Sequence, residues 1–309
     1  MKPRDRGFAL ILVIWSLVLL SSLAGGFSYA VRHEARVAAD MESIARAEAA
    51  AVAGLHTAVL SLASSNPADR WQADAQLHEV PWPDAAIQVK VRSESGRLDL
   101  NRSPRELLVG LFAQLFPHAD PEALADAVID WRDRDDRPGP AGAERDAYVQ
   151  AGYTYTPKNL SFDSVSELSQ VIGFDSAMTD RASAYLTVNS HQPRINVASA
   201  DLLVLASVPG INRDDAETFV AHRERVLAEG GMLDYTPLGN GMRYLDKRPG
   251  GRFLSIDIEV RLAEGLMRRE HAVIRLERAR GFKLLAREIR PVGLEPDGVG
   301  PVSYTHLRA

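Results

Sequence analysis

The residues best suited to chemistry stand in one short run, Asp130-Trp131-Arg132-Asp133-Arg134-Asp135-Asp136, followed by Gly139, Gly142, Glu144 and Asp146. Calcium is held by roughly six to eight hard oxygens, and alternating aspartates on a glycine-turned loop with a later glutamate can supply several. Pro138 and Pro140 stiffen the loop, which lowers the entropy lost when ligands are ordered. Taken generically, the same run is a solvated acidic loop neutralised by its own arginines at 132, 134, 137 and 145. On the residues alone both readings stay open.

Other chemistry is poorly supplied. The chain has no cysteine, which excludes disulfides, thiolate metal sites and cysteine nucleophiles. Its eight histidines never fall within five residues of one another, so a zinc site is not expected. There is no G-x-S-x-G elbow and no phosphate loop ending in Gly-Lys-Ser/Thr; Gly239-Asn240-Gly241 lacks the third glycine and the following helix. No enzymatic activity is expected. The run Ser207-Val208-Pro209-Gly210-Ile211, between helical segments, is similar to a helix-hairpin-helix, whose turn can offer backbone amides to a DNA phosphate. Asn212 replaces the second glycine, and Asp214 and Asp215 would repel the phosphate. Net charge is −5, so no basic field supports nucleic-acid binding. A packing role is favoured for this hairpin, and a membrane-anchored periplasmic DNA-binding protein is the alternative function.

These residues must be positioned by the elements around them. Phe8 to Val31 is 24 residues without a charge, long enough as a helix at ~1.5 Å per residue to cross a hydrocarbon core of ~30 Å. The basic flank MKPRDRG before it holds the N-terminus in the cytoplasm. Helical spacing continues through Met41, Ala45, Val52, Leu55, Val59 and Leu62, so one helix from Phe8 to about Ala63 is expected, with a bend at Gly25-Gly26. Three readings compete: a secretory signal cut after Ala30, a plain anchor, and a prepilin leader cut after Gly7 that leaves Phe8 as the new N-terminus. The Arg6-Gly7-Phe8 junction resembles the last closely. Most pilins carry Glu at the fifth mature position, where this chain has Leu12, as suits a subunit at a filament tip.

Beyond the helix, a Trp/Pro-rich stretch (Trp71, Pro81, Trp82, Pro83) reads as an exposed connection. Ala86–Arg92 alternates as a half-buried strand and is expected to turn at Ser95-Gly96 into a second strand, Arg97–Leu100. From Asn101 to about Gly231 the period is helical. A polar residue followed by an acid and Leu recurs at Asn101–Leu107, Asp163–Leu168 and Asn196–Leu202, either as three similar helix starts or as a duplicated unit. Period two returns at Ile256, Ile258, Val260 and Leu262, again at Ala272, Ile274 and Leu276, and over Phe282–Ile289. Residues 120–180 carry 13 acids against 5 bases, and residues 243–290 carry 13 bases against 7 acids, so the two regions have opposite fields. The expected fold is α+β: a long N-terminal transmembrane and amphipathic helix packed on a small antiparallel sheet, with a large all-α insertion between its strands. The divisions are leader 1–7, span 8–30, α/β domain 31–100 and 241–295, and helical insertion 101–240. Val302–Ala309 resembles translated sequencing-adapter read-through and is set aside.

The chain as a whole resembles the minor pseudopilin K family of type II secretion systems. The resemblance rests on Arg6-Gly7-Phe8 with Leu12, on Arg97-Leu98-Asp99-Leu100-Asn101, and on Asp130-Trp131-Arg132-Asp133-Arg134-Asp135 leading to Gly142-Ala143-Glu144 and Tyr148. Ile195-Asn196-Val197-Ala198-Ser199-Ala200 completes it. It implies a pseudopilin fold, processing and N-methylation at Gly7/Phe8, and a single-pass protein of the bacterial inner membrane with its C-terminal domains in the periplasm. It implies a complex with minor pseudopilins I and J and other pseudopilus subunits, with the secretin or the secreted substrate as further contacts. It also implies a position at the pseudopilus tip that helps initiate assembly. Some members bind calcium in the insertion, which implies Asp133, Asp135 and Glu144 as ligands here, followed by Asp136 and Asp130.

Overall fold

A computed structural model describes residues 6–66, 68–229, 231–248, 251–277 and 281–290. The set-aside tail at 302–309 and most of the expected leader lie outside them. The first element, α1 (Arg6–Leu62), is a single helix that runs through Gly25–Gly26 without a break. It is long and apolar enough to cross a membrane. Gly7 and Phe8 lie in its first turns. Leu10 and the large apolar residues from Leu12 to Val31 are exposed. From Ala47 onward one stripe is buried: Ala47, Ala50, Ala51, Leu55, Ala58 and Val59. Small residues let this half press close to the sheet. A Cβ on Gly54 would stand 3.0 Å from Ile87 Cγ2 and 3.3 Å from Ile258 Cγ2.

Five antiparallel strands form that sheet in the order β1-β2-β7-β8-β9. They are β1 (Asp74–Trp82), β2 (Ala85–Ser93), β7 (Phe253–Leu262), β8 (Met267–Leu276) and β9 (Phe282–Arg290). Alternation did its work in the last three: Ile256, Ile258 and Val260 face α1, while Asp257 and Glu259 lie on the opposite face between them. The expected hairpin at 86–100 is corrected. The partner of β2 is β1, joined through Pro83-Asp84, so the Trp/Pro-rich stretch is largely strand rather than connection. Pro81 is tolerated because β1 is an edge strand. After Ser93 the chain enters a 3₁₀ turn, Glu94–Gly96, where a Cβ on Gly96 would stand 2.3 Å from the carbonyl oxygen of Ser199. This close passage sends the chain into the insertion instead of back along β2.

The insertion therefore fills the β2-to-β7 connection, with its own core from Leu98 and Leu100 to Tyr244 and Leu245. It contains α2 (Arg105–Leu115), α3 (Pro121–Arg132), α4 (Arg145–Gln150), α5 (Ser176–Ser183), α6 (Leu202–Ala206) and α7 (Arg213–Glu229). It is not wholly helical. β3 (Leu98–Asp99) pairs in parallel with β4 (Leu186–Thr187), and β5 (Ile195–Asn196) with β6 (Leu245–Asp246).

These two pairs open two copies of one arrangement. Asp99 Oδ1 accepts from the amide of Asn101 at 2.9 Å, and Asn196 Oδ1 from that of Ala198 at 3.0 Å. The Asp99 carbonyl accepts from Arg102 and Ser103, and the Asn196 carbonyl from Ser199 and Ala200. In each copy an arginine of the second helix donates to the carbonyls one and four residues further on. Arg132 reaches Leu100 and Ser103, and Arg223 reaches Val197 and Ala200. Of the three recurrent sequence motifs, the first and third are thus duplicates. The middle one is a 3₁₀ turn, Val165–Gln170, capped by Ser164. Asn101 does not cap α2; Pro104 stands at that position, and Asn101 exchanges hydrogen bonds with the backbone of Phe162.

Candidate functional site

Helix α3 begins at Asp120, whose carboxylate accepts from the amides of Glu122 and Ala123. Its buried face carries Leu124, Val128 and Trp131, but also Asp126 and Asp130, one turn apart and both almost fully enclosed. Asp126 pairs with Arg105 and accepts from the amide of Ala141 at 3.0 Å; the Arg105 guanidinium holds its pKa down. Asp130 accepts from the amide of Gly139 at 3.0 and 3.1 Å. A Cβ on Gly142 would stand 2.0 Å from Asp130 Oδ2, so only glycine allows the loop to close on that carboxylate. Two buried aspartates thereby fold the stretch 138–143 back against α3 through backbone amides.

That fold-back sets Glu144 beside the acids that follow α3. Glu144 stands at the N-terminal cap of α4, but its side chain makes no capping hydrogen bond. It is 6% exposed, and both carboxylate oxygens are buried without a partner. Burial, reinforced by the charges of Asp130, Asp133, Asp136 and Asp135, raises its pKa to about 7. Burial likewise raises Asp133, with the charge of Asp135 adding to it, and raises Asp130 against the pull of the Gly139 and Ala143 amides. Asp133 Oδ1 is a third buried acceptor without a partner, and Asn159 Oδ1 is a fourth. The Asn159 amide nitrogen donates to the Asp135 carbonyl at 3.2 Å and to Asp136 Oδ1 at 2.9 Å.

All five acids expected as ligands thus belong to one neighbourhood, though their roles differ. Asp130 spends its oxygens on the loop, Asp135 and Asp136 engage backbone and Asn159, and Asp133 and Glu144 hold the free oxygens. The charge of Arg132 pulls against the rise in Asp133, but the local arginines do not pair with the cluster. Arg132 is turned to backbone carbonyls, and among the described residues Arg134, Arg137 and Arg145 form no ion pair. Unpaired, buried, exclusively accepting oxygens of hard character are the donor set that a calcium ion takes. Among the described residues no three His, Asp or Glu side chains are arranged to enclose an ion outright. The fit is therefore one of donor chemistry and not of enclosure.

Sequence reasoning missed Asn159, Asp126 and the bracing role of Arg132. Asn159 has a signal in principle, since its backbone is left-handed (φ 51°), a conformation that Asn adopts more readily than most residues. The hairpin between α6 and α7 is engaged in local packing. Asn212 Oδ1 already accepts from the amide of Asp215, and the turn at Gly210 lies against Asn240 and Gly241. Ser207 in the same turn meets α2, where a Cβ on Gly110 would stand 1.9 Å from its carbonyl oxygen. The hairpin is a packing element.

Residues 93–191, which span the first duplicated unit and the acidic loop, match the family model described as type II secretion system (T2SS), protein K. Type II secretion system protein K of Pectobacterium carotovorum subsp. carotovorum is 28% identical over 152 residues, covering 45% of this chain and 46% of that protein. The protein of the same name from Dickeya chrysanthemi is 34% identical over 108 residues, covering 33% and 29%. The matched segments span less than half the length of either relative. In fold, the chain superposes on a chain of the crystal structure of the GspK-GspI-GspJ complex from the enterotoxigenic Escherichia coli type 2 secretion system. The TM-score is 0.58 at 16% identity, over 81% of this chain and 96% of that one. The chain is similar in sequence to type II secretion system protein K through the acidic insertion, and similar in fold over most of its length to a chain of the GspK-GspI-GspJ complex.

Proposed function

We propose that this chain is a minor pseudopilin of a type II secretion system, anchored in the inner membrane by residues 8–30 with the remainder in the periplasm. The observation that carries the reading is a helix with an exposed apolar first half, whose second half is the spine of a sheet interrupted by the protein K insertion. Minor pseudopilins I and J are its partners in this reading, supported by a fold shared with a chain of a complex named for those components. Bulk supports a place at the pseudopilus tip, from which it helps initiate assembly. A subunit inside a helical filament meets copies above and below at a fixed rise, and an insertion between β2 and β7 would protrude into them. The exposed, uncharged Leu12 fits a subunit that does not use the carboxylate contact common in pilins.

In the same reading a calcium ion rests between Asp133, Asp135 and Glu144, with Asp136 beside them and Asp130 holding the loop in place. The ion would supply the positive charge that the cluster lacks. This chain's residues would provide the oxygens, with the loop held through the Gly139 amide. The leader and anchor are tested by intact mass of the membrane-purified protein. The expected chain begins at methylated Phe8; a start at Val31 overturns the reading. Co-purification with minor pseudopilins I and J is expected, and its absence from solubilised membranes that contain all three refutes the partnership.

A further inference from the structure

We propose that the groove between the β8–β9 side of the sheet and the insertion is a docking site for a short basic and apolar segment of another protein, whose cationic side chain faces Asp180 and Glu288. The groove holds about 340 Å³, at the lower end of the ~300–1,000 Å³ usual for ligand clefts, so it takes a few side chains rather than a domain. Its apolar lining includes Val188 from the insertion and Val273, Leu285 and Ala286 from the sheet. A β-bulge puts Leu285 there. Ala286 pairs with Val273 and Leu284 with Ile274, so Leu285 is the extra residue between them, and it is 36% exposed. A bulge re-aims a side chain at the expense of the ladder, and the one supplied to this groove is large, apolar and uncovered.

Charge decides the occupant. Most of the charges that line the groove are already answered: Glu94 by Arg97 at 3.1 Å, Asp163 by Lys158 at 2.6 Å, and His271 by Asp257 at 2.7 Å. Asp180 on α5 and Glu288 on β9 also line it, one from the insertion and one from the sheet. Both are exposed, and among the described residues neither forms an ion pair. Two unanswered carboxylates beside apolar surface favour a cation flanked by apolar groups and oppose an acidic segment. Arginine suits the position best, because its fork offers five donors while its stem covers apolar surface. The chain's own continuation does not match, since residues 291–301 contain Glu295 and Asp297 and no base. A subunit at a filament end has no second copy beside it, so the segment comes from a different protein; that clause alone rests on the tip reading above.

The test is fluorescence anisotropy of a labelled Leu-Arg-Val-Arg-Leu peptide titrated with the full chain in detergent, with empty micelles as the blank. A Ser-Arg-Ser-Arg-Ser peptide carries the same charge without the apolar groups. The natural chain is expected to bind the first peptide at least about tenfold more tightly than the second. Asp180→Asn with Glu288→Gln should weaken binding about tenfold and flatten its dependence on salt. Leu285→Ser should weaken it with the salt dependence kept, and Asp146→Asn, an acid outside the groove, should leave it unchanged. Matching melting temperatures show that each variant is folded. No binding, equal binding of the two peptides, or binding that survives the double substitution overturns the inference and leaves the pseudopilin reading standing. Sedimentation supplies the last outcome: a dimer of the natural chain that dissociates on the double substitution would make a second copy the occupant, and overturns the inference together with the tip position.

Discussion

Glu144 offers the sharpest perturbation, because its cost to the cation-free fold can be worked out. Its pKa is raised from 4.5 to about 7, chiefly by burial. Below pH 4.5 the folded and unfolded chains both carry the proton, and nothing is lost. Between 4.5 and 7 the unfolded chain ionises while the folded one keeps its proton, so stability falls as pH rises. Above 7 the full cost is reached, about 3 kcal/mol at ~1.36 kcal/mol per pH unit. Glu144→Gln removes the charge and offers an amide donor to the neighbouring aspartates. In chelator the variant should therefore match the natural chain near pH 4.5 and exceed it by about 2–3 kcal/mol at pH 8. At roughly 2–4 °C per kcal/mol for a unit of this size, the melting temperature should rise by about 5–10 °C.

Calcium should close the gap. A ligand present at about a hundred times its Kd stabilises the native chain by about 2.7 kcal/mol, and Glu144→Gln should show little of this gain. The assay is thermal denaturation of the detergent-solubilised protein at pH 4.5, 6 and 8, with chelator or calcium. Equal or lower melting of Glu144→Gln at pH 8 in chelator would refute the argument, because the buried carboxylate would then have an undetected partner.

Other outcomes follow from close approaches and buried charges. Arg132→Ala and Arg223→Ala each strand two carbonyls in equivalent places, so both should cost about 2–4 kcal/mol by chemical denaturation, to within a similar amount of each other. Gly110→Ala forces a methyl to within 1.9 Å of the Ser207 carbonyl oxygen and should destabilise the insertion by about 2–3 kcal/mol in the same assay, since backbone rather than a flexible side chain must move. Glu270 is buried between Arg268 at 2.5 Å and Arg287 at 2.7 Å. Burial alone would raise its pKa, but the two guanidiniums outweigh that and hold it low. Its contribution is present above about pH 4.5 and lost as pH falls through the depressed value. Glu270→Gln should therefore raise the acid-denaturation midpoint toward neutrality and cost about 3–5 kcal/mol at pH 7.

Elements with their own periodicity were legible. The long helix announces itself by an uncharged run followed by a buried stripe, and β7 by alternation along one buried face. β1 did not, since a strand at the sheet edge tolerates Pro81 and leaves much of its length exposed. Two-residue strands could not be read at all: Leu98–Asp99 is a strand only because Leu186–Thr187 lies beside it. The acidic site was legible where its members are consecutive. Arg132 was not, because sequence placed it among neutralising charges while the phase of α3 turns it to the carbonyls of Leu100 and Ser103. Asn159 was hidden by the distance along the chain between it and Asp135 and Asp136.

Duplication supplies an internal control on the acidic cluster. Both units use the same Asx turn, the same parallel pair and the same arginine brace, so their second helices can be aligned on Arg132 and Arg223. Two residues before the brace, the first unit has buried Asp130 and the second has exposed Ala221. Six residues before it, the first has buried Asp126 and the second has Glu217, exposed and paired with Arg213. One residue after it stand Asp133, with an orphaned buried oxygen, and exposed Glu224. At these three positions the second helix therefore packs without a buried acid. Carboxylates whose burial raises their pKa oppose the fold that contains them, and the second unit shows that the architecture does not require that opposition. Asp130 answers that opposition by holding the loop after α3 through the Gly139 amide, whereas Asp133 and Glu144 are left with buried oxygens that no described group answers.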